Sequence, residues 1–134
     1  MIFLDTSAVY ALTDESDKDY KEAKELFTFA LSQEHQFALH NYILVEAGAL
    51  IQRRVGLEQA KKFLKEAAKF HIFWIDAQMH RFAEDYFHTH ATRKLSFVDC
   101  ASFVVMHKHG ITRAFAFDDD FQKAGFQLYG KQER

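Results

Sequence analysis

Four carboxylates stand where acids are seldom found. Asp5 follows the apolar run Ile2-Phe3-Leu4, and Asp118 follows Ala114-Phe115-Ala116-Phe117. Glu46 lies among Ile43, Leu44, Ala47, Leu50 and Ile51, while Asp99 lies inside the largely apolar stretch from Phe97 to Val105. Burying an unpaired carboxylate is costly, or raises its pKa until it is neutral. A divalent cation shared among the four would remove that cost. Ligands that are all carboxylate oxygens, with no Cys/His cage, point to Mg²⁺ or Mn²⁺. A hard cation in an acidic crevice suits phosphodiester hydrolysis.

Each acid also has an ordinary reading. Asp5 can cap the helix after it, with Thr6 and Ser7 as neighbouring polar groups. Ser96 and Asp99 are spaced as a capping box, a common device for starting helices. Glu46 can pair with Arg53 or Arg54. Asp118-Asp119-Asp120 is an acidic run of the kind that is usually solvated, with Asp118 the site member, Asp120 a helper and Phe121 tucked back into the core. The placement of all four at core-like positions is what favours a common site.

The elements that must position them alternate. Residues 2–5 read as a short buried strand, and a helix follows. A second helix spans about 17–33, with Ser16 and Asp19 at capping-box spacing. Residues 37–40 form a strand, Asn41 caps a helix over 42–55, and Gly56 ends it. A helix over about 57–69 precedes a strand at 72–75. Asp76 then caps a helix running to about 91. Ser96 opens a largely apolar helix that stops at Gly110, followed by a strand at 113–117 and a short edge strand at 126–129. This pattern predicts a three-layer α/β/α sandwich with a mostly parallel central sheet. In such sheets ligands gather at the carboxyl ends of the strands, where Asp5 and Asp118 fall.

Composition narrows the classes. At 134 residues, 49% hydrophobic and with 15 Phe, the chain predicts one domain over 1–134 with a packed core. It has no proline, linker or repeat, and no apolar run long enough to span a bilayer. A lone cysteine, Cys100, suits a reducing cytoplasm. A net charge of −2 argues against coating nucleic acid through bulk positive charge. Local basic groups remain as phosphate contacts: Arg53 and Arg54 after the Glu46 helix, and Arg93 and Lys94 before Ser96. Tyr10, Tyr42 and Phe97 could stack on bases. His88/His90 and His107/His109 are spaced by two, which splays them apart on a helix and argues against zinc.

Three segments, Phe3-Leu4-Asp5-Thr6-Ser7-Ala8, Leu95-Ser96-Phe97-Val98-Asp99-Cys100-Ala101-Ser102-Phe103 and Phe117-Asp118-Asp119-Asp120-Phe121, together with Glu46 mid-chain, carry a family resemblance. The chain resembles the PIN-domain nucleases, and within them the VapC-like toxins of prokaryotic toxin–antitoxin modules. The resemblance implies a metal-dependent endoribonuclease in which Asp5, Glu46, Asp99 and Asp118 bind the metal, supported by Thr6, Ser7 and Ser96. It also implies an RNA substrate, a cognate antitoxin and a homodimer. Many relatives carry Ser or Thr two residues before the last acid, where this chain has Ala116. A catalytically inactive PIN-like module that binds RNA or a partner is the competing expectation. The complete set of four acids counts against it.

Overall fold

The apolar run Ile2–Leu4 becomes a fully buried strand, β1, at the centre of the sheet. The computed structural model describes residues 1–130. After β1 come α1 (Thr6–Thr13), α2 (Tyr20–Ser32), β2 (Phe37–His40), α3 (Asn41–Arg54) and α4 (Leu57–Ala67). The chain continues through β3 (His71–Phe73), α5 (Ala77–His90), α6 (Phe97–His109), β4 (Arg113–Phe115), α7 (Asp120–Lys123) and β5 (Gln127–Leu128).

The five strands are all parallel, in the order β3-β2-β1-β4-β5. Successive side chains of a strand point to opposite faces. The unbroken burial of β1 and β2 therefore means that both faces of the sheet are covered, as parallel sheets require. This is the expected α/β/α sandwich. The chain moves outward from β1 through β2 to β3, then returns to the other side of β1 with β4. That reversal leaves a crevice above the β1/β4 pair, where Phe3 is in register with Ala114 and Leu4 with Phe115.

Phenylalanine builds much of the interior. Phe121 is fully buried against Phe3 and Phe103, with ring centroids 6.1 and 5.1 Å away. It thus anchors the acidic turn before it to the core, as expected. Phe27, Phe37 and Phe70 form a second aromatic cluster under α2.

Several boundaries differ from the sequence expectation. α2 begins at Tyr20, and Asp19 makes no side-chain cap; the Ser16 hydroxyl instead donates to Asp14 at 2.6 Å. The cap of α3 is His40, not Asn41, whose side-chain oxygen accepts the Ile75 N–H at 2.7 Å. That bond pins the segment after β3, so β3 ends at Phe73 and Trp74 projects into solvent, 70% exposed. β4 ends at Phe115, two residues earlier than expected, because the Phe117 N–H leaves the ladder for the Ser7 hydroxyl. No described helix is long and apolar enough to cross a membrane.

Candidate active site

The crevice above β1 and β4 is organised by Ser7. Asp5 directly follows β1 and caps α1: one carboxylate oxygen accepts both the Ser7 N–H, at 3.2 Å, and the Ser7 hydroxyl, at 2.7 Å. The same Ser7 Oγ accepts the Phe117 N–H at 3.1 Å. One hydroxyl therefore couples the acid at the end of β1 to the backbone next to Asp118. Thr6 also lies in this turn, and its buried hydroxyl has no hydrogen-bond partner among the described residues.

Asp99 enters from α6. The capping box expected from the sequence is present: Ser96 Oγ accepts the Asp99 N–H at 3.1 Å, and Asp99 Oδ2 accepts the Ser96 N–H at 3.0 Å. The cap fixes the carboxylate without consuming it, because Oδ1 takes no part. The capping and site readings of Asp99 are thus compatible.

Asp118 accepts the Asp120 N–H at 3.1 Å. Asp119 pairs with Lys123 at 3.3 Å, as a surface acid does. No Lys or Arg among the described residues forms a comparable pair with Asp5, Asp99, Asp118 or Asp120. Within the acidic run, Asp119 is thus the member with a lysine partner, whereas Asp118 and Asp120 are joined by the Asp120 N–H.

The electrostatics follow from this arrangement. Burial pushes Asp5 up to about 7; the Ser7 hydroxyl opposes the rise, and the charges of Asp118 and Asp99 add to it. Burial also raises Asp99, against the stabilising Ser96 cap, with Asp118 and Asp120 contributing. Asp118 is raised by partial desolvation and by Asp120 and Asp119, while the Asp120 N–H works the other way. Asp5, Asp99, Asp118 and Asp120 thus share one field of uncompensated negative charge.

Glu46 stands somewhat apart. It is half-buried on α3, and it is not among the leading charges acting on Asp5, Asp99 or Asp118. Neither Arg53 nor Arg54 forms an ion pair with it among the described residues; Arg54 lies over the Tyr10 ring, 5.7 Å from its centroid. Ala116 is buried beneath the crevice, and its methyl offers no hydrogen bond. Arg53, Arg93 and Lys94 are exposed, the last two in the loop leading to Ser96.

The residues fit a hard cation by donor type: several oxygens, one buried carboxylate, and no basic group to neutralise them. They do not form a closed cage. Among the described residues, no three His, Cys, Asp or Glu side chains are grouped closely enough to hold one ion. The histidines are engaged elsewhere: His90 stacks on Tyr86, His109 on Phe73, and His107 packs on Phe126.

Sequence reasoning missed His40 and Ser102, both fully buried and bonded to each other at 2.8 Å. A serine midway along an apolar helix was the available signal. It also missed the contact of the Tyr42 hydroxyl with His80, which in turn meets Glu84 at 3.5 Å beside Phe97.

A profile of the PIN domain matches residues 2–127. The 23S rRNA-specific endonuclease VapC20, from two strains of Mycobacterium tuberculosis, is 35% identical over 128 residues, which are 94% of this chain and 95% of the relative. The crystal structure of Mycobacterium tuberculosis VapC20, described as a Sarcin-Ricin loop cleaving toxin, superposes with a TM-score of 0.83 at 34% identity. It covers 94% of this chain and 96% of that one. With an unpaired acidic crevice at the switch point of a parallel sheet, the chain belongs to the PIN-domain nucleases and, among them, to the VapC-like toxins.

Proposed function

We propose that this protein is a Mg²⁺- or Mn²⁺-dependent endoribonuclease and the toxin of a toxin–antitoxin pair. The observation that carries the reading is Asp5: a buried carboxylate, raised to about 7 by burial and by Asp118 and Asp99, with no basic partner among the described residues. A site that holds negative charge so unfavourably is completed by a cation. Asp5, Glu46, Asp99 and Asp118 would hold it, with Asp120 beside them. When bound, Mg²⁺ or Mn²⁺ supplies charge neutralisation at the phosphate, acidification of an attacking water and support for the leaving oxygen.

The chain's own residues do the rest. Ser7 fixes the Asp5 carboxylate and joins it to the Asp118 segment, Ser96 orients Asp99, and Thr6 offers a buried hydroxyl in the same turn. Arg93 and Lys94 before α6, and Arg53 and Arg54 at the end of α3, would meet phosphates and position RNA without reading its sequence. Residues 1–134 act as one domain in the cytoplasm, as a homodimer restrained by a cognate antitoxin. The named activity of VapC20 makes large-subunit ribosomal RNA the first substrate to test.

Induced expression followed by mapping of cleaved RNA ends is the direct experiment. Cleavage with 5′-phosphate and 3′-hydroxyl ends, absent in Asp5→Asn, supports the reading. Unchanged cleavage by Asp5→Asn, or ends carrying a cyclic phosphate, would overturn it.

A further inference from the structure

We propose that His40 and Ser102 form a buried brace that sets the position of Glu46 on α3 relative to Asp99 on α6, so that both act as positioning residues for the acidic crevice. The inference rests on the proposed function and concerns two groups to which that function gives no task. Both side chains are completely buried, where polar atoms are expensive unless each finds a partner. Here each does.

The bonds fix the proton arrangement. His40 ends β2 and caps α3, and its Nδ1 accepts the Ile43 N–H at 3.2 Å. Nδ1 is therefore the bare nitrogen, and Nε2 carries the proton. Nε2 donates to Ser102 Oγ at 2.8 Å, and that hydroxyl donates onward to the Val98 carbonyl at 3.0 Å. Burial holds the ring neutral by pushing its pKa down to about 3. The ring also packs against Phe3 on β1 at 5.6 Å and against Tyr42 at 5.8 Å.

The consequences run along the helices. His40 holds the first turn of α3 six residues before Glu46. Ser102 is three residues beyond Asp99, and its acceptor, Val98, immediately precedes Asp99. Phe3 lies two residues before Asp5. A single imidazole therefore touches the three elements that present Asp5, Glu46 and Asp99. Capping alone asks only for an acceptor at the Ile43 N–H, which short side chains such as Asp5 and Asp76 supply at the starts of α1 and α5, so it does not call for an imidazole with a second bond to Ser102. A directional network fixes one helix spacing, whereas apolar packing tolerates several.

The test separates position from stability. Mn²⁺ affinity of the full chain is titrated by electron paramagnetic resonance, and Tm is measured without metal. The variants are Ser102→Ala, Ser102→Thr and, as a destabilised control on α4 outside the brace, Phe63→Leu. We expect Ser102→Ala to weaken Mn²⁺ binding by about 10-fold, the scale of losing an outer support of a metal site. Ser102→Thr keeps the hydroxyl and should stay within about 2-fold on that scale. Phe63→Leu should lower Tm with affinity unchanged. If Ser102→Ala does not fold, His40→Asn replaces it, since Asn can cap α3 but is too short to reach Ser102. Parental affinity in Ser102→Ala, or an equal loss in Phe63→Leu, overturns the brace. A parent chain that binds no Mn²⁺ overturns the metal-dependent function, and the brace with it.

Discussion

Two groups of carboxylates in this protein are treated in opposite ways. Glu58, Glu66 and Asp119 each have a lysine three or four residues further along the chain, at 3.5, 3.0 and 3.3 Å. These pairs are solvated and local. Asp5, Asp99 and Asp118 come from three distant parts of the chain and share one crevice, where the charges of Asp118 and Asp99 add to the raised pKa of Asp5 and that of Asp118 to the raised pKa of Asp99, with no lysine or arginine paired to them among the described residues. The first group shows how this chain neutralises acids that do nothing else. The second shows an arrangement that is unfavourable until a cation is supplied.

The contrast breaks most visibly through catalysis. Asp5→Asn and Asp99→Asn should each lower RNA cleavage by more than about 100-fold in folded protein, since even outer supports of metal sites cost 10–100-fold. EDTA should abolish cleavage, and added Mn²⁺ should restore it. Both are read by gel assay on ribosomal RNA, with circular dichroism as the folding control. Ser7→Ala comes next. It removes the hydroxyl shared by Asp5 and the Phe117 N–H and should reduce cleavage by about 10-fold.

A smaller effect lies in metal-free stability. The folded pKa of Asp5, about 7, exceeds its ordinary value near 3.8, so the folded chain holds the extra proton between those limits. Stability owed to this group therefore falls as pH rises from about 4 to about 7. His40 acts in the opposite sense, because its folded value of about 3 lies below 6.5 and stability is lost as pH falls through that range. Comparing Asp5→Asn with the parent at each pH cancels the His40 contribution. The variant should have the higher Tm in EDTA, with a larger gain at pH 8 than at pH 4. The smallest effect belongs to the paired acids: Lys61→Ala and Lys69→Ala should each change stability by less than about 1 kcal/mol, measured by urea unfolding. A stability change in either lysine variant as large as the gain in Asp5→Asn would erase the distinction.

Much of the crevice was legible because its parts are local. A short apolar run ending in Asp5, and Ser96 three residues before Asp99, state their own geometry through capping rules. Asp76 likewise caps α5 through the Met79 N–H, as expected. Features that depend on partners remote in sequence were not legible. Asn41 looks like a cap, but Ile75, 34 residues away, engages its side chain, and the capping role passes to histidine. The last residues of the expected 113–117 strand resemble their predecessors in composition. Only the Ser7 hydroxyl, 110 residues distant, draws them out of the ladder. Glu46 shares a helical stripe with Ile43 and Leu50, yet periodicity places a residue on a face and cannot say what lies opposite that face.

The bond between Asn41 and Ile75 has a practical consequence as well. It holds the chain's single tryptophan, Trp74, out in water at the same end of the sheet as the crevice, on a segment tied to the start of α3. Tryptophan fluorescence of the unlabelled protein, excited selectively over its five tyrosines, therefore reports from one place only. A blue shift or quench on adding a macromolecule marks that rim as covered, and an unchanged spectrum marks it as open.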